Sequence, residues 1–270
     1  MEKRKSENMI KMVALDLDDT LLNSDIKISE RNKKAIRACV EKGVHVTVAT
    51  GRMFRAATPF ARDLSLTLPI ITYQGALVKT LDDQEILHHV IEKEMALHVI
   101  DFLKHYKMQV NVYMADELYM EKMDEFGSRY VHLSKVKHQI TTFPDGMFTP
   151  PTKILMAGDA RVLDEVQTEA LQVFGKELTI TKSKDYFLEF GNVHSKKSLA
   201  LDAVAKTLQI KPEEIMAIGD GMNDYDMLEY AGIGVAMGNA QQLLKEIASY
   251  VTDTNDQDGV AKALEKYILS

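Results

Sequence analysis

Two stretches far apart in the chain are built alike. Near the start, "MVALDLDDT" (12–20) runs apolar residues into Asp16, Asp18 and Asp19; near the end, "EIMAIGDGMND" (214–224) runs them into Asp220, Asn223 and Asp224. Each reads as a buried strand that stops on carboxylates. Around both, strands alternate with helices. "SERNKKAIRACVEKG" (29–43) has Ser29 to cap a helix, Glu30 in its first turn and Gly43 past its end. "VHVTVATG" (44–51) is a β-branched strand closed by glycine, a second helix covers roughly 53–64, and "PIITYQGAL" (69–77) starts a third strand. This order predicts an α/β fold with a doubly wound parallel sheet.

Between the two ends the pattern changes. "QVNVYM", "ELYME", "KILMAG" and "ELTITKS" are short strands, and "EKEMALHVIDFLKHY" and "DARVLDEVQTEALQVFG" are amphipathic helices. Four strands and two helices suit an α+β unit with an antiparallel sheet. "TTFPDGMFTPPTK" is a turn-rich link within it. After about residue 186 the first pattern resumes with "SKKSLALDAVAKTLQI". The expected organisation is a core of residues 1–82 plus 187–270, split by an inserted α+β cap at 83–186.

Composition narrows the function. The chain has 270 residues, 46% of them hydrophobic and 27% charged, which fits a globular enzyme and argues against long disorder. A net charge of −7 disfavours nucleic acid as a partner, because phosphate backbones need basic patches. The single cysteine, Cys39, rules out an intrachain disulfide and a cysteine-based zinc site. It sits at helical spacing with Ala35 and Ile36 and reads as a small buried hydrophobe. The charged "MEKRKSENMIK" is not a signal peptide and no apolar run spans a bilayer, so a cytoplasmic protein with a loose tail at 1–9 is expected.

Ligands of doubly wound sheets bind outside the carboxyl ends of the strands. Four special stretches fall there: Asp16-Leu17-Asp18-Asp19-Thr20, Thr50-Gly51-Arg52, Lys196 at a helix start, and Asp220-Gly221-Met222-Asn223-Asp224. Clustered carboxylates at one sheet edge call for a cation. Oxygen-only ligands suit Mg²⁺, which keeps waters and a substrate phosphate. An aspartate beside such a cation is able to attack a phosphoryl group. A second carboxyl two residues on can protonate the leaving alkoxide and then deprotonate water. Thr50 offers a hydroxyl and backbone N–H groups, and Lys196 a cation, for the phosphoryl oxygens.

These blocks resemble the haloacid dehalogenase superfamily, most closely its Cof-type sugar phosphatases, whose Rossmann-like core carries an inserted cap. "DLDDTLL", "ATGR", "YQGAL", "SKKSLALDAVAKTLQIKPEEIMAIGDGMNDYDML" and "AGIGVAMGNA" carry the resemblance from about residue 11 to the end. It implies a Mg²⁺-dependent phosphatase for small phosphomonoesters, with sugar phosphates first and a monomer or homodimer as its form. By resemblance Asp16 is the nucleophile and Asp18 the general acid/base. Thr50, Gly51, Lys196 and Asn223 hold the phosphoryl group. Asp16, the Asp18 carbonyl and Asp220 hold the metal, with Asp224 reaching it through water or through the ligands. Three residues depart from the pattern: Asp19 stands where glycine is usual, Lys197 where glycine often follows the lysine, and Gln74 where asparagine is common. A phosphomutase and a phospho-ligand sensor with negligible turnover are the alternatives.

Overall fold

The computed structural model describes residues 9–134, 136–143 and 149–270. Most of the expected N-terminal tail and the centre of the turn-rich link lie outside these residues. The chain forms two compact units. One gathers Met1–Thr50, Phe60–Ile70 and Leu201–Ser270; the other gathers Gly51–Pro59 and Ile71–Ala200. The stretch 83–186 lies wholly in the second unit, which also takes in Gly51–Pro59, the residues from Ile71 to Asp82 and those from Phe187 to Ala200.

The strands in chain order are β1 (Met12–Leu15), β2 (His45–Val48), β3 (Ile70–Thr72), β4 (Leu77–Lys79), β5 (Glu85–His88), β6 (Gln109–Met114), β7 (Glu117–Met120), β8 (His138–Ile140), β9 (Lys153–Ala157), β10 (Leu178–Lys184), β11 (Phe187–Asn192), β12 (Ile215–Gly219), β13 (Ile233–Ala236) and β14 (Tyr250–Val251). The helices are α1 (Glu30–Glu41), α2 (Phe54–Asp63), α3 (Lys93–Lys104), α4 (Glu125–Ser134), α5 (Ala160–Phe174), α6 (Lys197–Thr207), α7 (Tyr225–Tyr230), α8 (Gln242–Ile247) and α9 (Gly259–Leu264).

In the first unit five strands lie in the order β14-β13-β12-β1-β2, and every pair is parallel. β1 and β12 are buried throughout, as expected of strands covered on both faces. Helix α1 starts where predicted: the Ser29 hydroxyl accepts the Asn32 N–H at 3.1 Å. It ends into Gly43 at φ +84°, a conformation that favours glycine.

The predicted third strand does not extend this sheet. β3 is three residues long and belongs to a separate three-stranded sheet with β4 and β5. It stops because Tyr73, Gln74 and Gly75 all take positive φ, at 53°, 58° and 96°, and extended pairing cannot continue through them.

The second unit carries a six-stranded sheet in the order β10-β11-β9-β6-β7-β8, antiparallel except for β7 with β8. It is larger than the predicted four strands and two helices, adding β8, β11 and α4. The sequence pattern hides α4 because Gly127 and Ser128 weaken its helical signal. Ala96, Val99, Ile100 and Leu103 of α3 and Leu163, Val166, Ala170 and Phe174 of α5 pack with Val112, Ile154, Met156, Leu188 and Phe190. The side chains between these on the same strands belong to the other face. There Gln109, Asn111, Lys153 and Glu189 are polar yet buried, together with Tyr113.

Candidate active site

The first unit brings three of the predicted carboxylates together. Asp16 follows the last residue of β1, and Asp220 the last residue of β12. These strands are parallel neighbours with Leu15 opposite Ile218, and the Asp16 N–H donates to the Ile218 carbonyl at 3.0 Å. Asp224 stands one tight turn beyond Asp220. Each of the three offers an oxygen within 4.8 Å of the others. Asp16 and Asp224 are buried, and Asp220 is half-buried.

Two members of this cluster are held. The Thr20 hydroxyl donates to Asp220 Oδ1 at 2.7 Å. Asp224 Oδ2 accepts the backbone N–H groups of Asp220 and Gly221, both at 3.0 Å. Asp224 therefore fixes the backbone that carries Asp220. Sequence reasoning gives Thr20 no role of its own, although it closes the same "DLDDT" run.

The residues fit a hard dication. All donors are oxygens, two of the three carboxylates are buried, and like charges this close repel unless a cation lies among them.

Asp18 is half-buried in the kinked turn Leu17–Leu21. Asp19 in that turn has φ 59° and ψ 9°. Glycine adopts this left-handed conformation freely, and aspartate is among the side chains that tolerate it. The Asn239 amide donates to the Asp19 carbonyl at 2.7 Å and helps hold the turn. Thr50, buried, follows β2 after Ala49. Asn223 is half-buried in the turn Met222–Asp224.

Gly51 and Lys196 belong to the second unit. The Gly51 carbonyl accepts from Lys153 Nζ at 2.9 Å. Lys196 is exposed, whereas its neighbour Lys197, the first residue of α6, is only 1% exposed. A lysine so enclosed needs opposite charge or several acceptors around it. Sequence reasoning favours Lys196 by register, and local pattern does not separate two adjacent lysines. Cys39 is a buried free thiol, and burial pushes its pKa up to about 11, as suits a packing residue and not a nucleophile.

The description "haloacid dehalogenase-like hydrolase" belongs to the family model that matches residues 13–264. The 5-amino-6-(5-phospho-D-ribitylamino)uracil phosphatase YcsE of Bacillus subtilis is 33% identical over the whole of both chains. A haloacid dehalogenase-like hydrolase from Bacteroides thetaiotaomicron superposes with a TM-score of 0.86 at 32% identity, over 95% of this chain and 99% of its own. The subclass IIB sugar phosphatase BT4131 superposes with a TM-score of 0.85 at 25% identity, over 95% and 98%. With its parallel sheet, its second α+β unit and carboxylates at the strand ends, the chain belongs to the haloacid dehalogenase-like hydrolases and is a phosphoric monoester hydrolase.

Proposed function

We propose that the protein is a Mg²⁺-dependent phosphatase acting on a small primary phosphate ester of a sugar or polyol. The observation that carries this reading is the convergence of Asp16, Asp220 and Asp224 within 4.8 Å at the ends of adjacent parallel strands. The names of two relatives support the substrate class: one concerns a phosphorylated ribityl chain and the other sugar phosphates.

In this reading an Asp16 oxygen attacks phosphorus and the ester oxygen departs with a proton from Asp18. Asp18 then takes a proton from water as that water attacks the aspartyl-phosphate, releasing inorganic phosphate and restoring Asp16. The cation would be held by Asp16, Asp220 and the Asp18 carbonyl, and when bound it offsets the negative charge of nucleophile and phosphoryl group. Thr50, the backbone of Gly51, and Asn223 receive the phosphoryl oxygens. For the cationic partner we favour Lys197 over Lys196, because the buried ammonium is the one that a burial cost has been met to hold. Residues 83–186 would select the leaving group.

The test is phosphate release from p-nitrophenyl phosphate, a sugar phosphate panel and 5-amino-6-(5-phospho-D-ribitylamino)uracil, with Mg²⁺ and with EDTA. Metal-dependent release that Asp16→Asn lacks while still folded is the expected result. Release by Asp16→Asn at the wild-type rate removes the nucleophile. Transfer of the phosphoryl group within the substrate, with no free phosphate, would mean a mutase; ligand-induced stabilisation without turnover would mean a sensor.

A further inference from the structure

Gly51 follows Thr50 directly, and the Gln74 side chain lies close against it. A Cβ on it would lie 2.4 Å from Gln74 Nε2. Glycine peptides rotate more freely than others, so a phosphoryl cradle built on one needs outside support. Both carbonyls of this stretch are tied. Lys153 Nζ donates to the Gly51 carbonyl at 2.9 Å, and the Tyr73 N–H donates to the Arg52 carbonyl at 2.9 Å. That carbonyl of Gly51 lies on the far side of the Gly51 Cα from the Gly51 N–H, so fixing the planar Gly51–Arg52 peptide restrains the glycine whose N–H the cradle uses.

Lys153 is itself held from several sides. It is 4% exposed, its ammonium lies 3.3 Å from Glu189, and the rings of Tyr113 and Tyr73 have centroids 5.0 and 5.8 Å away. Glu189, 5% exposed, also accepts from the Ser183 hydroxyl and, at 3.3 Å, from Gln74 Nε2. The amide of Gln74 thus bonds to Glu189 and packs on Gly51 at once. Lys153 and Glu189 sit on the face of the six-stranded sheet away from the α3 and α5 core. A buried ion pair is a poor way to add stability, since apolar side chains of like volume usually do as well. Its use here is directional.

We propose that Lys153 and Glu189 are a positioning pair for the phosphoryl-binding backbone. Glu189 and the two tyrosines fix Lys153, Lys153 fixes the Gly51–Arg52 peptide, and Gln74 closes over Gly51. The inference rests on reading Thr50-Gly51 as part of the phosphoryl cradle. In this role both act through the peptide.

The test compares wild type, Glu189→Gln and Lys153→Met/Glu189→Gln. The double variant removes both charges together, so no buried charge is left unpaired; the introduced amide keeps its oxygen for Ser183, and the Gln74 amide can turn its own oxygen toward the new NH2. With p-nitrophenyl phosphate and Mg²⁺, kcat of the double variant should fall by about tenfold or more, with KM within about threefold. Inhibition by vanadate, which mimics the five-coordinate transition state, should weaken about tenfold while inhibition by phosphate changes little. Inhibition constants do not depend on the fraction folded, so a merely structural loss would leave their ratio unchanged. A folded double variant with wild-type kcat and an unchanged ratio overturns the proposal. If that variant does not fold, Lys153→Arg replaces it, because the longer fork keeps charge beside Glu189 and shifts the donor off Gly51. Wild-type kcat in Lys153→Arg overturns the proposal equally. Absence of phosphate release from the wild type removes the phosphatase reading, and this inference with it.

Discussion

Replacing Asp224 with asparagine separates the two things its carboxylate does. Asp224 Oδ2 accepts the N–H groups of Asp220 and Gly221, each at 3.0 Å. A hydrogen bond to a charged acceptor contributes about 1.5–3 kcal/mol, and a neutral one about half that. Asparagine keeps an oxygen for both amides, so the exchange costs about 1.5–3 kcal/mol over the two bonds. Against this stands repulsion within the cluster. Unit charges at the 4.8 Å limit repel by roughly 3.5 kcal/mol at an effective dielectric of 20. Water reaching half-buried Asp220 screens its pair with Asp224, and relaxation around the buried Asp16 pair lowers that one too, so about 1–3 kcal/mol is taken for each of the two pairs Asp224 makes.

In the metal-free protein the relief, about 2–6 kcal/mol over the two pairs, at least matches the lost charge, and Asp224→Asn should lie between about 1 kcal/mol less and about 4 kcal/mol more stable than wild type. With Mg²⁺ bound the repulsion has already been neutralised, so the variant shows its full cost. The gain in stability from Mg²⁺ should be clearly smaller in the variant than in wild type. Urea unfolding of both proteins, in EDTA and in saturating Mg²⁺, measures that gain from the shift in midpoint. Equal gains from Mg²⁺ would refute the reasoning, because Asp224 would then not belong to the field the cation feels. A metal-free variant destabilised by more than about 4 kcal/mol would show that the hydrogen bonds, and not the repulsion, dominate.

Gly75→Ala should destabilise by about 2–4 kcal/mol, because φ is +96° and the new Cβ would meet the Lys196 carbonyl at 2.3 Å. Gly43→Ala, with φ +84° and open space around it, should cost only about 1 kcal/mol; equal losses in urea unfolding would remove the packing argument. Cys39, with its thiol pushed from 9.0 to about 11 by burial, holds its proton more tightly folded than unfolded. Its contribution to stability is whole below pH 9 and is lost as pH rises toward 11, a slope that Cys39→Ala should lack. The folded thiol should also resist alkylation at about pH 8 until urea is added. Calcium should inhibit turnover in competition with Mg²⁺, because its looser and higher coordination engages both oxygens of Asp16; activity with Ca²⁺ equal to that with Mg²⁺ would count against Asp16 as the attacking group.

The sequence by itself determined whatever rests on neighbours along the chain. The buried runs of β1 and β12, each ending on aspartates, announced the parallel sheet and the edge where Asp16, Asp220 and Asp224 meet. Ser29 and Gly43 announced the ends of α1, because caps act over three or four residues. The rest depends on contacts between segments far apart in the chain. The left-handed run Tyr73–Gly75 ends β3 after three residues, and β3 pairs with β4 instead of the parallel sheet, although its residues read as a strand. Of two adjacent lysines, Lys197 is enclosed and Lys196 exposed, and no local periodicity carries that difference. Lys153 reaches the carbonyl of Gly51 across 102 positions, and Glu189 joins them from another strand. In the sequence these are two ordinary charges on amphipathic strands. Their role depends on burial and on partners brought in from afar, which folding alone supplies.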